Sequence, residues 1–406
     1  MTHPTPSPIP PASAGRRGMV LLAAFLGWMF DGLEMGIFPL VARPALQQMQ
    51  AASGIVDDKF VGFWMGWVTA TFLLGAAGGG LVFGWLGDKF GRVRAMSMAI
   101  LCYSVFTGLV YFASEPWHLA ALRFVAALGM GGEWALGVAL VMEVWPEKNR
   151  PMLAGVIGAA ANVGFALIAC VGMFYAVTQE TWRYVVVIGA LPAALTFFVR
   201  LFVPESEKWQ QSAAAKPTQP VRELLSNPAL IKPTLIGTLL ASVVLIGTWG
   251  SVQWLPLWAD QMAGPTMPKA KAYTQALSAI GSVFGCLLGA WLGGLLGRRP
   301  AYFLLCLGSL LSCAWLFRGI DSYGTSFLTL TFVVGTLTAA FYGWLPLYLP
   351  ELFPTRVRAT GQGLAFNTGR ILAAIGALQM GALMQTFHGS YAQAGAVISL
   401  VYAVGL

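Results

Sequence analysis

The sequence predicts an all-α membrane protein in which twelve transmembrane helices form two six-helix bundles. Two observations predict this fold. The 406-residue chain is 57% hydrophobic and only 10% charged, which is far more apolar than an ordinary globular protein. A motif also recurs after 208 residues: its first copy is Glu143, Pro146, Arg150 and Gly155, and its second copy is Glu351, Pro354, Arg358 and Gly363. Such repeats in a membrane protein indicate two bundles with a binding site between them.

A glycine-rich motif recurs as well. Segment 84–94 reads G-W-L-G-D-K-F-G-R-V-R, and segment 290–300 reads A-W-L-G-G-L-L-G-R-R-P, at an offset of 206 residues. The near agreement of the two offsets argues against a chance similarity. The chain is therefore predicted to be an internal duplication.

Long apolar runs between short charged clusters predict the twelve spans. They cover 19–42, 60–86, 94–113, 118–143, 151–176, 183–203, 233–259, 272–296, 300–318, 326–350, 359–386 and 390–406. The last span has only about seventeen residues where a crossing needs roughly twenty, which indicates a last helix that is cut short.

The predicted bundles are 19–203 at the N-terminal side and 233–406 at the C-terminal side. The polar stretch 204–232 is predicted to be the cytoplasmic linker between them. Residues 1–18 are rich in Pro and Ser, which is typical of a disordered cytoplasmic tail.

Basic residues predict the orientation of the chain. Sixteen Lys and Arg residues fall in segments on the side of the N-terminus and six on the other side, while Arg123 and Arg370 lie within spans. This bias predicts that both termini are cytoplasmic, in an inner or plasma membrane. It also explains the net charge of +8 without a nucleic-acid partner. The lipid bilayer is the expected partner, and we expect a monomer.

The five cysteines fall within predicted spans and have no metal-ligand spacing. We interpret them as packing residues and expect no metal and no cofactor. The sequence also lacks the cluster of His, Cys or carboxylate side chains near a membrane face that a membrane-embedded enzyme needs. These absences disfavour an enzyme.

Ionisable residues within the predicted spans are the first functional candidates. They are Asp31, Glu34, Arg123, Glu133 and Arg370. Each costs about 2.5 to 3.5 kcal/mol at the centre of a bilayer on insertion scales, so a functional reason for each is expected.

The buried acids are the predicted proton-coupling residues. Asp31 and Glu34 are three residues apart, which puts both carboxylates on one helical face. Like charges that are close together and poorly solvated favour the binding of a proton. Glu133 lies at a similar depth and joins this group. A structural ion pair between Asp31 or Glu34 and a neighbouring arginine is the alternative.

The predicted substrate-binding residues are Arg370, Arg123, Asn162, Asn367 and Tyr342. An anionic substrate suits the arginines, and both asparagines lie at similar depth in their spans. Two alternatives stay open, since Arg123 is near enough to its span end to extend to the lipid headgroups, and Tyr342 suits core packing as well as a cavity wall.

Charged motifs on the cytoplasmic side predict a gate. It comprises Gly84, Asp88, Gly91, Arg92 and Arg94 after the second span, Glu143 and Arg150 after the fourth, and Glu351 and Arg358 after the tenth. Opposite charges at the rim of two bundles can latch them together and release when the bundles rock. Gly294 stands where the second copy would have an aspartate, so the latch is expected to be asymmetric.

Segment 84–94 carries the pattern G-x-L-x-D-x-x-G-R-x-R, and the chain resembles the major facilitator superfamily over nearly its whole length. Within that family, D-G-L-E at 31–34 looks like the D-G-(Phe or Tyr)-D motif of proton-coupled organic-acid symporters, which include sialic-acid, aromatic-acid and monocarboxylate carriers. Segments 129–134, 143–146, 204–209 and 358–370 resemble the same carriers.

The resemblance implies uptake of a small organic anion, a carboxylate, with protons as the coupling ion. It implies the coupling role for Asp31 and Glu34 and a place near the substrate for Arg370. One departure is Glu34, which stands where these relatives usually have aspartate. The alternatives are an uncoupled or sugar-type facilitator and, from another class, a transport-inactive membrane sensor.

Overall fold

The computed structural model describes residues 14–51, 57–145, 150–194, 224, 226–354 and 357–406. In these ranges the chain forms thirteen α-helices, several extended by short 3-10 turns. They are α1 (Ala14–Ala51), α2 (Asp58–Phe90), α3 (Arg92–Leu109), α4 (Pro116–Val144), α5 (Arg150–Phe174), α6 (Trp182–Val187), α7 (Pro228–Gly250), α8 (Leu255–Ala263), α9 (Ala270–Leu295), α10 (Arg298–Gly319), α11 (Thr325–Tyr348), α12 (Arg358–Thr386) and α13 (Tyr391–Ile398). Since α7 and α8 share one crossing, the chain has the predicted twelve-helix fold.

Eight helical segments of the described chain are long and apolar enough to cross a bilayer by length and composition. Large apolar side chains are exposed on the outer surface, among them Leu81, Phe174 and Trp315. An apolar outer surface of this extent fits a protein that is surrounded by lipid.

The first helix extends beyond its predicted span at both ends. It begins at Ala14, inside the segment predicted to be the tail, and continues to Ala51. The apolar run ends at Arg43, but the polar residues after it remain helical because they have partners. Gln48 Oε1 accepts hydrogen bonds from Trp182 Nε1 at 2.8 Å and from Arg183 Nη1 at 2.6 Å.

The predicted seventh span, 233–259, is not one continuous helix. Helix α7 ends at Gly250, and Ser251 leaves the helical region with φ −134° and ψ −57°. The Ser251 hydroxyl donates to the Gly247 carbonyl at 2.7 Å, which competes with the helical backbone hydrogen bonds. Helix α8 restarts at Leu255 with Pro256 in its first turn, where proline is tolerated.

The internal duplication is visible in helix packing. Gly75 and Gly79 of α2 lie against the carbonyl groups of Phe124 and Leu128 of α4, and Gly281 and Gly285 of α9 lie against those of Phe332 and Thr336 of α11. A Cβ at any of these glycines would collide with the carbonyl, so glycine allows the close approach. The glycines are 206 residues apart and their partners 208 apart, which are the two offsets of the sequence motifs.

The turns after α2 and α9 are related in the same way. Gly91 has φ 107° and Gly297 has φ 84°, values that favour glycine because it has no Cβ. We call the end of the molecule that holds these two turns the motif end, and the other end the opposite end. The N half (α1–α6) and the C half (α7–α13) meet where α2 packs on α12 and α5 packs on α9.

Candidate functional site

A cavity of about 590 Å³ lies between the two halves, a volume within the usual range for small-molecule sites. Its deep wall includes Trp28, Asp31, Phe72 and Asn162 from the N half, and Trp249, Gln275, Tyr342 and Arg370 from the C half. Arg298, Glu351 and Gln362 also line it, so the cavity reaches the motif end. Aromatic rings with a few polar groups are typical of a site for a small organic molecule.

Asp31 is fully buried on the cavity wall, and within the described residues neither of its carboxylate oxygens has a hydrogen-bond partner. The Glu133 carboxylate lies behind it, in the space that a Cβ on Gly27 would occupy. Gly27 is one helical turn before Asp31, so the two acids are neighbours, and their charges interact. The structure thus brings two predicted proton-coupling residues together.

Glu34 has a different environment. Its Oε1 is 2.6 Å from Arg123 Nη1 and accepts a hydrogen bond from the Thr107 hydroxyl at 2.8 Å. The Arg123 guanidinium carbon lies 4.7 Å and 4.8 Å from the ring centroids of Phe38 and Phe72, which adds a cation–π contribution. Arg123 therefore neither lines the cavity nor extends to the lipid headgroups, because it is held inside the N half.

Arg370 lies on the C-half wall of the cavity. Its Nη1 donates to Asn367 Oδ1 at 3.2 Å and to the Ala76 carbonyl at 3.4 Å, and its guanidinium carbon lies 5.0 Å from the Phe366 ring centroid. No carboxylate of the described residues forms an ion pair with it, although its charge interacts with that of Asp31 across the cavity. Arg370 is therefore positioned to bind an anion.

Three other predicted substrate-binding residues lie beside Arg370 or on the cavity wall between the halves. Asn367 orients Arg370 and packs against Gly80 of α2. Tyr342 lines the cavity. Asn162 lines the cavity too, and its Nδ2 is 3.5 Å from Cys286 Sγ in the other half.

The predicted gate is described only in part. The side chains of Asp88, Arg92, Glu143, Arg150 and Arg358 lie outside the described residues, Gly84 and Gly91 provide backbone positions, and Arg94 is exposed. Glu351 forms a bidentate pair with Arg298, from Nε to Oε2 at 3.1 Å and from Nη2 to Oε1 at 2.7 Å. Sequence reasoning missed Arg298, although it lies 206 residues after Arg92 and so at the equivalent motif position.

Contacts between the halves close the opposite end. Arg43 of α1 lies 2.9 Å from Asp58 of α2 and 3.0 Å from Asp260 of α8, and Lys271 Nζ lies 3.1 Å from the other oxygen of Asp260. Gln261 Nε2 donates to Asp58 at 2.9 Å. We call these five residues the clamp. Sequence reasoning used only Arg43 and Lys271, to orient the chain, because nothing in the spacing indicated that the five residues meet.

Closer to the cavity, Gln275 Nε2 donates to the Gly36 carbonyl at 2.9 Å. Farther out, Gln385 Nε2 donates to the Lys59 carbonyl at 2.6 Å. Each contact joins the C half to the N half. Contacts at three depths, those of Gln275, the clamp and Gln385, therefore close the cavity at the opposite end, while its wall continues to the motif end.

The model of the Major Facilitator Superfamily matches residues 20–377 of this chain. The chain belongs to the major facilitator superfamily. It is similar to a putative metabolite transport protein of Haemophilus influenzae, with 29% identity over 95% of this chain and 93% of that protein. It is also similar to the cis,cis-muconate transport protein of Acinetobacter baylyi, with 27% identity over 90% and 87% of the two chains.

The fold is that of a solved member of the family. The xylose transporter XylE from E. coli, in a partially occluded inward-open conformation, has a TM-score of 0.72 at 17% identity and covers 95% of this chain and 96% of its own. Family, relatives and fold together make this chain a multi-pass membrane transporter and not an enzyme.

Proposed function

We propose that this transporter imports a small organic carboxylate together with protons by alternating access. The observation that carries the proposal is that Arg370 of the C half and Asp31 of the N half face one cavity. A guanidinium is suited to hold a substrate carboxylate through two parallel hydrogen bonds. A buried aspartate without a partner in the described chain is suited to carry a proton. The Acinetobacter baylyi relative, named for cis,cis-muconate, supports an organic acid as substrate.

Coupling follows from charge balance. The charges of Asp31 and Arg370 interact across the cavity. A substrate carboxylate at Arg370 adds negative charge beside Asp31 and Glu133, so this acid pair then holds a proton because like charges disfavour ionisation. Anion and proton therefore enter together and keep the interior close to neutral, the charge state in which a low-dielectric interface moves most easily.

The side of the membrane to which the cavity opens follows from the orientation of the chain. We assign the motif end to the cytoplasm, in an inner or plasma membrane, with both termini on that side, because the excess of Lys and Arg lies there. The cavity reaches the motif end while the clamp closes the opposite end. In this assignment the molecule is inward-facing, and rocking of the halves opens the clamp to the outside.

The remaining candidates divide into two groups. Asn367, Asn162 and Tyr342 orient Arg370 or line the cavity, and we assign them to the substrate site. Arg123 and Glu34 neutralise each other away from the cavity wall, so we assign Arg123 to holding α1 against α4. Replacement of Glu34 by Gln tests whether its carboxylate also contributes to coupling.

Uptake into proteoliposomes tests the proposal. A gradient that is acidic outside is expected to drive faster accumulation of labelled benzoate or sorbate than in protein-free liposomes, which measure the passive entry of the neutral acids. Uptake that ignores the gradient contradicts proton coupling. Uptake of xylose without any uptake of these carboxylates supports the sugar-type alternative.

Asp31→Asn is expected to abolish accumulation and to retain exchange of substrate across the membrane, because the proton carrier is lost while Arg370 is intact. The matched control is Asp321→Asn, which changes the same side chain at an exposed position. Unchanged accumulation in Asp31→Asn removes this residue from the mechanism.

A further inference from the structure

The charges of the cavity wall narrow the substrate class. Among the described residues, the wall carries only two cations, Arg298 and Arg370. Each guanidinium nitrogen of Arg298 already has a partner at the motif end, because Nε and Nη2 donate to Glu351 and Nη1 donates to the Gly293 carbonyl at 2.6 Å. Arg370 is therefore the cation that the described wall offers to an anion.

The free edge of Arg370 fits one carboxylate. Elsewhere in this molecule the Nε–Nη2 edge of an arginine binds a carboxylate: Arg43 binds Asp58 at 2.9 Å and 3.2 Å, and Arg298 binds Glu351 at 3.1 Å and 2.7 Å. In Arg370 the contacts with Asn367 and Ala76 use Nη1 only, and Nε and Nη2 donate to no described residue. The ring of Phe366 supports the guanidinium from one side.

A second carboxylate on the same substrate would find no further unpaired arginine or lysine on the described wall. The rest of the deep wall presents the rings of Trp28, Phe72 and Trp249, neutral amides, and the carboxylate of Asp31. An ionised group in these surroundings loses its hydration without gaining a counter-charge. It would also be repelled by the negative charge that the Asp31–Glu133 pair keeps when the two acids share one proton.

We infer that this transporter selects carboxylates with a single negative charge over dicarboxylates with the same carbon frame, through the Nε–Nη2 edge of Arg370. This inference rests on the proposed function. If the inference holds, this chain differs from a carrier of dicarboxylates in the charge of its substrate, even where the two proteins share a fold.

Two matched ligand pairs test the inference on the purified full-length protein, with no variant needed. Benzoate is compared with terephthalate, and sorbate with trans,trans-muconate, at about pH 7.5, where carboxylates of this kind are ionised. Dissociation constants are measured by calorimetry, and thermal stabilisation serves as a second readout. We expect each monocarboxylate to bind at least tenfold more tightly than its partner.

Monomethyl terephthalate separates charge from size, because it is as large as terephthalate but carries one charge. We expect it to bind at least tenfold more tightly than terephthalate. Equally weak binding of the ester and the diacid overturns charge selection, since size alone would then explain the result. Dicarboxylates that bind as tightly as monocarboxylates also overturn it, but leave carboxylate transport intact. If no carboxylate of either pair binds or is taken up, the proposed function itself fails.

Discussion

The two halves of the molecule treat buried charge in opposite ways. In the described residues, the N half holds three buried carboxylates, Asp31, Glu34 and Glu133, around one arginine, Arg123. The C half places a single arginine, Arg370, on the cavity wall without an ion-pair partner. The acidic surplus of the N half thus faces Arg370, the arginine of the C-half wall that has no ion-pair partner among the described residues. The comparison teaches that charges paired within a half stabilise it, whereas charges left unpaired within a half are available to substrate and protons.

Because of this arrangement, one of the two charge interactions depends on how the halves are oriented and the other does not. Glu34 and Arg123 move together because both belong to the N half. Asp31 and Arg370 belong to different halves, so their interaction changes whenever the halves rock. In the proposed function, a substrate anion that binds Arg370 alters the same interaction, and this would link substrate binding to protonation in one cavity.

The largest effect is expected from removing the internal partner of Glu34. Arg123→Leu leaves a buried carboxylate without its counter-charge, which costs about 3 to 5 kcal/mol of folding free energy. Adding Glu34→Gln to this variant is expected to recover most of the loss. The melting temperature in detergent measures both. If the Arg123→Leu variant is as stable as the parent, the ion pair does not stabilise the N half.

Arg370→Lys tests the other side of the comparison. Lysine keeps the positive charge but loses the planar fork, so carboxylate binding is expected to weaken at least tenfold, about 1.4 kcal/mol. The ligand-free protein should melt as before, because Arg370 forms no ion pair in the described chain. Arg318→Lys, at an exposed position, is the matched control. Unchanged affinity in Arg370→Lys would exclude bidentate binding.

Glu133→Gln distinguishes the acid on the cavity wall from the acid behind it. Gln has nearly the same shape and occupies the same space beside Gly27, while Asp31 remains to carry a proton. Accumulation driven by a pH gradient is expected to persist, within about tenfold of the parent, which corresponds to about 1.4 kcal/mol. A loss as complete as that of Asp31→Asn would instead identify Glu133 as the proton carrier.

The smallest effect is expected at the clamp, which joins the halves without belonging to either. Asp260→Asn removes one charge but keeps an oxygen that accepts hydrogen bonds from Arg43 or Lys271. Arg43 also keeps its ion pair with Asp58, so we expect a loss of about 1 kcal/mol. The ratio of closed to open molecules at the opposite end should fall roughly fivefold. Spin labels at the exposed positions Glu180 and Ser322 measure this ratio as a distance distribution. A distribution that does not change would mean that the clamp does not hold this end closed.

Much of the fold was predictable from the chain itself. The apolar spans predicted twelve helices. The offsets of 206 and 208 residues predicted a duplication, and equivalent glycine–carbonyl contacts occur in the two halves at the same offsets. The break at Ser251 was missed because serine inside an apolar run leaves hydropathy almost unchanged. The length of α1 was missed because polar residues ended the apolar run without ending the helix.

For the candidate site, the sequence by itself determined which side chains are too costly to bury without a reason. Burial of charge in hydrocarbon is unfavourable anywhere along a span. The ionisable residues within the predicted spans are therefore functional candidates from the sequence alone, and they are Asp31, Glu34, Arg123, Glu133 and Arg370. Only the tertiary structure decided how they are paired. Whether an acid meets an arginine depends on which helices pack together and on the direction in which each side chain leaves its helix, and these are long-range properties. Glu34 meets Arg123 across 89 residues of sequence, while Asp31, one turn away, faces the cavity instead.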